Sequence, residues 1–271
     1  MRPADTIRFA AAALCLLVAA GQAEAGPIGA AAPEPMTVRL TTAPAGPDGS
    51  VRGALLLDLA PGWKTYWVDP GASGIPPTID FAATAGLGRA ELHFPAPQRF
   101  GEGLARANGY RQSLAVAFEL APEAGAELGP VEASILLGAC REICVPVQAT
   151  LTAAEADSGA VQAAFAALPD RGRTPGEFAP PRLAGDVLTV AVTRPAREGS
   201  PDAADLFVAG PEGWYFDEPE APTRRGDQLI FQVPVLERPR AETGPPEHID
   251  VVFTDGAGAL EARDLRVTQS Q

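Results

Sequence analysis

The residues best suited to chemistry are two cysteines, Cys140 and Cys144, in the segment Gly138-Ala-Cys-Arg-Glu-Ile-Cys-Val-Pro146. The chain has three cysteines, and the third, Cys15, lies near the N-terminus. A closely spaced cysteine pair can form a structural disulfide, act as a redox centre or bind a soft metal ion. The elements that hold the pair must help to decide among these three kinds of site.

The spacing of the pair predicts a hairpin. Disulfide-bonded residues have Cα atoms roughly 4.4–6.8 Å apart, whereas residues four positions apart on a straight strand are about 13 Å apart. Apolar, strand-like runs flank the pair at Val131–Leu137 and Val145–Leu151. We therefore predict two strands joined by the loop Arg141–Ile143, which would place the cysteines opposite each other, about 4.5–5.5 Å apart.

The residues alone leave both a structural and a redox role open. A disulfide that closes about five residues stabilises a fold by roughly 2 kcal/mol, against nearly 5 kcal/mol for a loop of about 100 residues. Metal binding is less favoured, because the other soft ligands are only His93 and His248, without paired spacing. Phosphate-loop, dinucleotide, HExxH and GxSxG motifs are absent from the sequence. We predict no metal site and no cofactor.

The N-terminus predicts export. Arg2 and Arg8 make the first residues basic, and Phe9–Ala20 is an apolar run too short for a membrane span. Ala23-Glu24-Ala25 then offers a cleavage site, which completes the pattern of a signal peptide. We expect residues 1–25 to be a cleavable signal that directs the protein to an oxidising compartment. A short N-terminal anchor and a lipoprotein through Cys15 are the less favoured alternatives.

Composition excludes some partners. The net charge of −13 makes the chain a poor candidate for nucleic acid or for an anionic membrane surface. After residue 25 no apolar stretch approaches the roughly 20 residues of a membrane helix. We therefore expect a soluble protein without stable membrane insertion.

Alternating or clustered apolar residues predict an all-β fold, with Gly and Pro turns between strands. The predicted strands are 37–41, 51–59, 114–120, 131–137, 145–151, 187–193, 206–208, 229–235, 248–253 and 260–267. One helix is expected to begin with Thr152 as N-cap and Glu155 in a capping box, and to end at Pro169. We predict a β-sandwich domain at 26–152, a helix and linker at 153–181, and a second, smaller β-sandwich-like domain of unknown role at 182–271.

An aromatic segment, Pro61-Gly-Trp-Lys-Thr-Tyr-Trp67, is followed by the Gly- and Pro-rich loop Asp69–Pro77. On an extended strand Trp63, Thr65 and Trp67 share one face, and Lys64 and Tyr66 share the other. The segment predicts either core aromatics followed by turns or a loop that covers a site, with a core position favoured for Trp63.

Together with Phe94-Pro-Ala-Pro-Gln-Arg-Phe100, Asn108-Gly-Tyr110 and the cysteine segment, these motifs resemble the N-terminal periplasmic domain of the DsbD thiol:disulfide interchange family. They are most similar to ScsB-type members, which are associated with copper tolerance. The resemblance covers roughly residues 37–152. The second block resembles only loosely the extra β domain of ScsB-like proteins.

This resemblance implies an immunoglobulin-like domain in the periplasm whose Cys140/Cys144 pair is reduced by a membrane domain and then reduces thioredoxin-like proteins. Tyr66, Trp67 and Tyr110 are candidates for the binding surface. Two features depart from the better-known members: their cysteines are farther apart, and this sequence ends at Gln271 without a membrane domain. We therefore expect a stand-alone module with a separate membrane electron donor.

Two alternatives remain open at this point. One is a non-catalytic binding or assembly module with a structural disulfide. The other is copper binding by the reduced pair, which only the ScsB association suggests.

Overall fold

The first block of the fold is a sandwich of antiparallel sheets. The structure, a computed structural model, describes residues 34–154, 156–171, 177–194, 204–240 and 244–269. The strands of the first block are β1 (Met36–Thr42), β2 (Val51–Leu59), β3 (Thr65–Tyr66), β4 (Thr78–Asp80), β5 (Leu87–His93), β6 (Gln98–Phe100), β7 (Ala107–Tyr110), β8 (Leu114–Pro122), β9 (Glu132–Cys140) and β10 (Cys144–Thr152), with a 3-10 helix at Gly103–Ala105.

Two of its sheets enclose the main core. One has the strand order β1-β2-β8-β5 and the other β10-β9-β4, and every neighbouring pair is antiparallel. Because side chains alternate between the faces of a strand, Leu55, Phe118 and Leu137 all point inward and are fully buried. This arrangement confirms the predicted all-β, immunoglobulin-like sandwich.

A third, small sheet carries the aromatic segment. Its order is β3-β7-β6, with Thr65 opposite Tyr110 and Tyr66 opposite Gly109. The backbones of Lys64 and Cys140 exchange two hydrogen bonds of 2.9 Å, so β3 also reaches the end of β9. The small sheet therefore positions the aromatic residues beside the cysteine hairpin.

The single α-helix of the described residues, α1, spans Ser158–Ala166 and is capped by Asp157, whose carboxylate accepts a 2.9 Å hydrogen bond from the Ala160 N–H. The predicted cap at Thr152 is wrong, because that residue still pairs with Glu132 in the hairpin. The helix packs on the outer face of β2 and β8, where Ala54 and Ala117 leave room for Val161 and Ala164.

The second block is also built from sheets. Its strands are β11 (Asp170–Arg171), β12 (Arg182–Ala184), β13 (Val187–Thr193), β14 (Asp205–Ala209), β15 (Tyr215–Phe216), β16 (Thr223–Arg225), β17 (Gln228–Glu237), β18 (His248–Thr254), β19 (Ala259–Arg266) and β20 (Thr268–Gln269). One sheet has the order β11-β19-β18-β14 and the other β15-β17-β13-β12-β20, with β16 also paired to β17. Phe231 and Phe253 meet edge to face in the core between them.

The two blocks share apolar contacts. Phe207 and Val252 of the second block belong to the main core of the first, and Phe207 packs edge to face against Trp67 with ring centroids 6.1 Å apart. Asp170–Arg171, which falls in the predicted linker, pairs in parallel with Leu260–Glu261. The predicted domain boundaries remain predictions, and the predicted signal at 1–25 lies outside the described residues.

We find no helix in the described ranges with the length and apolar character that a membrane crossing requires.

Candidate functional site

The cysteines lie at the mouth of the predicted hairpin. Cys140 ends β9, Cys144 begins β10, and the two are direct cross-strand partners with Cα atoms 4.1 Å apart. They form a disulfide bond, and Arg141–Ile143 is the connecting loop. The predicted hairpin and its loop are confirmed, with a Cα separation slightly shorter than the predicted 4.5–5.5 Å.

The two halves of the disulfide differ in accessibility. Cys140 is only 3% exposed and packs in a small cluster whose other buried members are Tyr66, Phe100 and Ala107. Cys144 lies on the exposed side of the hairpin. Cys144 is therefore the more accessible half of the disulfide, while Cys140 packs against protein.

Tyr66 contacts both sulfurs. Its hydroxyl donates a 2.7 Å hydrogen bond to Cys140 Sγ and lies 3.4 Å from Cys144 Sγ. Burial raises the pKa of the Tyr66 phenol, so the hydroxyl stays protonated at neutral pH and remains a hydrogen-bond donor. Such a donor stabilises a sulfur that carries negative charge.

The backbone around Tyr66 explains why its ring lies on the disulfide. The Lys64–Cys140 bridge brings Lys64 and, two residues on, Tyr66 to the face of β9 that carries Cys140. The Thr65 hydroxyl, on the opposite side, donates a 2.8 Å bond to the Gly138 carbonyl. The predicted alternation along the aromatic segment therefore selects Tyr66 rather than its neighbours.

Gly138 makes room for the ring. A Cβ at this position would lie 2.9 Å from Tyr66 Cδ2 and 2.7 Å from Ile75 Cβ. A Cβ on Gly74, in the Gly- and Pro-rich loop, would lie 2.7 Å from Tyr66 Cδ1. Gly138 thus serves close packing against the Tyr66 ring. The loop does approach the site, since Ile75 packs against the cluster that contains Cys140.

The other two aromatic candidates lie in the main core. Trp67 is 3% exposed and packs against Phe207, as described above. Tyr110 is also buried, its hydroxyl donates a 2.8 Å bond to the Pro95 carbonyl, and burial holds its pKa well above the usual range. Trp63 is half-buried against the same core. Of the three predicted binding residues, Tyr66 is the one that the fold brings to the sulfurs.

Sequence reasoning did not single out Phe100, although it lies in one of the motifs that carried the resemblance. Its ring lies 6.4 Å from the Tyr66 ring, centroid to centroid, and the cationic groups of Lys64 and Arg111 lie over its face. The register of β6 with β7, which only the fold supplies, places Phe100 there.

A separate group of metal-ligand types lies on β5 and β8. Glu91, His93 and Glu119 bring one ligand atom each within 4.8 Å of one another. Arginines already compensate them: Arg89 pairs with Glu91, Arg52 with Glu119, and an Arg171 nitrogen lies 2.6 Å from His93 Nδ1. Burial and the nearby arginines lower the pKa of His93 to about 4. This arrangement fits a neutral histidine in an ion-pair network better than a cation site.

The second block supports the sheet that carries Tyr66. Arg99 on β6 reaches Asp205 at 3.0 Å, the Leu206 carbonyl at 3.0 Å and Asn108 Oδ1 at 2.9 Å. Asn108 in turn donates to the Asp69 carbonyl at 3.1 Å. The β3-β7-β6 sheet is therefore tied to β14 by the Arg99 side chain, which is only 12% exposed.

Comparison with known proteins agrees with this geometry. Residues 32–156 match the family model described as thiol:disulfide interchange protein DsbD, N-terminal. The crystal structure of the N-terminal periplasmic domain of ScsB from Proteus mirabilis aligns with 88% of this chain and 95% of its own, at 22% identity and a TM-score of 0.66. The human desmocollin-1 ectodomain aligns with 88% of this chain and 50% of its own, at 8% identity and a TM-score of 0.20. No curated protein matches the chain significantly.

The ScsB likeness shows that the fold of both blocks occurs together in another protein, since it extends well beyond the family match. The disulfide lies within the matched residues. Residues 32–156 are thus similar to the N-terminal domain of the thiol:disulfide interchange protein DsbD, and the resemblance predicted from the sequence is confirmed.

Proposed function

We propose that this protein relays electrons between the Cys140–Cys144 pair and thioredoxin-fold partners, with Cys144 as the sulfur that forms the mixed disulfide. The observation that carries the proposal is the difference between the two sulfurs. Cys144 is exposed, whereas Cys140 is buried and accepts the hydrogen bond of Tyr66.

In the oxidised protein, a partner thiolate attacks Cys144 Sγ in line with the disulfide. The Cys140–Cys144 bond breaks, and its electron pair leaves on Cys140 Sγ. The Tyr66 hydroxyl, 2.7 Å away, stabilises that thiolate. The second thiolate of the partner then attacks the mixed disulfide and releases Cys144, so the partner is oxidised and the pair holds two electrons.

In the reduced protein the same steps run in reverse. Cys144 attacks the disulfide of a thioredoxin-fold partner, one partner sulfur leaves as a thiolate, and a mixed disulfide forms. Cys140 then attacks Cys144 Sγ, restores the internal disulfide and leaves the partner as a dithiol. The hairpin holds the two cysteines opposite each other, so no large movement is needed for this second step.

The likeness to known proteins supports a proposal for the compartment and the partners. We infer that the protein acts in the periplasm, because the ScsB domain that it resembles is a periplasmic domain, and that the predicted signal at 1–25 directs it there. A membrane protein supplies the electrons, and soluble thioredoxin-like proteins accept them.

Trapping experiments test the assignment. Cys140→Ser keeps the accessible sulfur and removes the resolving one, so it should accumulate a mixed disulfide with a dithiol–disulfide protein such as thioredoxin. Cys144→Ser, the matched variant, should accumulate little, because its remaining sulfur is buried. Equal trapping by both variants would contradict the assignment of Cys144, and trapping by neither would favour a structural disulfide.

A structural role receives little support from the fold. The hairpin strands already pair along their whole length, from Cys140–Cys144 to Glu132–Thr152. A disulfide across so short a loop adds roughly 2 kcal/mol.

A further inference from the structure

Three cations lie over aromatic rings near the disulfide hairpin. Lys64 Nζ and Arg111 Cζ lie 4.8 Å and 5.2 Å from the centre of the Phe100 ring, and Arg141 Cζ lies 5.4 Å from the centre of the Trp63 ring. We call Lys64, Arg111 and Arg141 the cationic rim. Each is tied to the site: Lys64 bridges Cys140, Arg141 follows it, and Arg111 shares the Phe100 ring with Lys64.

The rim is not neutralised within the protein. Across the described part of the chain, none of the three cations has a carboxylate within ion-pair distance, whereas Arg52, Arg99 and Arg106 all do. Aromatic faces hold the rim cations without cancelling their charge. Glu142 at the hairpin tip contributes one carboxylate, so the rim and tip together carry two net positive charges.

This local charge opposes that of the whole molecule, which is −13. Screening confines most of the interaction between exposed charges to roughly 8–10 Å at physiological salt. A charged group docked on Cys144 therefore interacts mainly with the positive charges of the rim, while a distant group is affected by the net negative charge of the molecule.

The hairpin loop that carries Arg141 also presents an apolar contact point. Ile143, between the two cysteines, is 71% exposed, and Cys144 next to it is exposed too. An exposed aliphatic side chain beside charged residues, here Arg141 and Glu142, is typical of a contact surface with an apolar centre and a polar edge.

We propose that the cationic rim selects thioredoxin-fold partners with acidic residues around their reactive cysteines and an apolar surface to receive Ile143. This inference rests on the proposed function and specifies the partner that exchanges with Cys144. Rim charges act on the rate and selectivity of encounter more than on the chemistry of the sulfurs.

Two chromogenic disulfides test the rim in the reduced full-length protein. The probes are 5,5′-dithiobis(2-nitrobenzoate), a dianion, and 4,4′-dithiodipyridine, which is neutral. In each reaction Cys144 attacks the reagent and releases one thiolate, and Cys140 then displaces the second, leaving the internal disulfide. The ratio of the two rate constants isolates charge selection, because a change in thiol reactivity affects both reagents.

The test variant is Lys64→Gln/Arg111→Gln/Arg141→Gln, and the control is Arg182→Gln/Arg225→Gln/Arg240→Gln, which removes the same charge from exposed positions of the second block. We expect the ratio of anionic to neutral rate to fall roughly tenfold in the rim variant and by less than about twofold in the control. Added NaCl should slow the anionic reagent with the wild type and accelerate it with the rim variant.

Disulfide peptides extend the test to the partner class. Two synthetic peptides carry the same Cys-Gly-Pro-Cys disulfide, flanked in one by Asp and in the other by Lys. The reduced wild type should react faster with the Asp peptide, and the rim variant should react with both peptides at similar rates. Equal ratios in rim and control variants, or a wild-type preference for the Lys peptide, would overturn the inference alone. Failure of the reduced protein to react with either chromogenic reagent would overturn the proposed function and this inference with it.

Discussion

The Tyr66 hydroxyl donates a 2.7 Å hydrogen bond to Cys140 Sγ, the buried sulfur of the pair. This bond joins the aromatic segment to the hairpin and places a neutral donor where negative charge develops when the disulfide opens. Hydrogen bonds to charged groups contribute about 1.5–3 kcal/mol. This hydrogen bond should therefore stabilise mainly the thiolate of Cys140.

Replacing Tyr66 by Phe removes that donor and keeps the ring. We expect the pKa of the Cys140 thiol in the reduced protein to rise, the reaction of the oxidised protein with dithiothreitol to slow roughly tenfold, and the reduction potential to fall by about 30 mV. Thiolate absorbance against pH and the rate of reduction measure these effects.

Tyr110→Phe is the matched control, because it removes a hydroxyl bonded to the Pro95 carbonyl in the core. It should reduce the free energy of unfolding by about 1 kcal/mol and leave the thiol chemistry unchanged. Similar shifts of thiol pKa in both variants would contradict the role given to Tyr66.

Gly138→Ala tests the close packing beneath the Tyr66 ring. The added methyl would approach Tyr66 Cδ2 and Ile75 Cβ to within 3 Å, so the ring must move away from the disulfide. We expect a loss of about 1–3 kcal/mol in the free energy of unfolding and a slower reduction of the disulfide, as in Tyr66→Phe. Gly258→Ala, where nothing lies within 4 Å of the new methyl, should change neither quantity. An unaltered rate in Gly138→Ala would show that the ring position does not matter.

Arg99→Ala tests how the second block supports the site. It removes the bonds to Asp205, the Leu206 carbonyl and Asn108, and it leaves charges uncompensated in a largely buried position. We expect the free energy of unfolding, measured by urea denaturation, to fall by about 3 kcal/mol. Arg39→Ala, which breaks an exposed pair with Asp58, should cost less than about 1 kcal/mol. A loss of the same size in both variants would contradict a supporting role for the second block.

Asp69 gives the protein a specific pH dependence. Burial raises its pKa from 3.8 to about 6, although the backbone N–H groups of Gly71 and Phe216 and the charge of Arg99 oppose that rise. The folded state therefore binds the proton more tightly than the unfolded state. The stability that this carboxyl contributes is fully present below about pH 4 and is lost as the pH rises through about 6.

In the Asp69→Asn variant the side chain cannot ionise, so the variant should not lose stability in this way as the pH rises. The free energy of unfolding of the variant, relative to that of the wild type, should increase by roughly 2–3 kcal/mol between about pH 4 and pH 7. Urea unfolding across this pH range measures the difference. Parallel pH profiles for the two proteins would show that Asp69 ionises as freely when folded as when unfolded.

Much of the fold could be predicted from local pattern. Apolar residues located β2 and β13 at their observed bounds. In β13 they alternate along one buried face, which is a strong signal, whereas β2 is apolar on both faces because α1 covers its outer face. The hairpin followed from the impossibility of joining Cys140 and Cys144 along a straight strand. The helix start was placed too early because Thr152 has a capping side chain but is held in β10 by its partner on β9.

The site was harder to predict because it depends on register between distant segments. Alternation placed Lys64 and Tyr66 on one face, but only the bridge between Lys64 and Cys140 shows that this face meets the sulfurs. Trp67 and Tyr110 have the same residue types as site aromatics and instead fill the core. The approach of Glu119 to His93 likewise depends on the pairing of β5 with β8.

The reduction potential of the Cys140–Cys144 couple is the most direct test of a redox role. It is measured by equilibrating the native protein with glutathione or dithiothreitol buffers and quantifying free thiols. We predict a potential above about −300 mV, within the range of disulfides that exchange with thioredoxin-fold proteins. A pair that stays oxidised below about −300 mV under native conditions would be a structural disulfide and would contradict the relay.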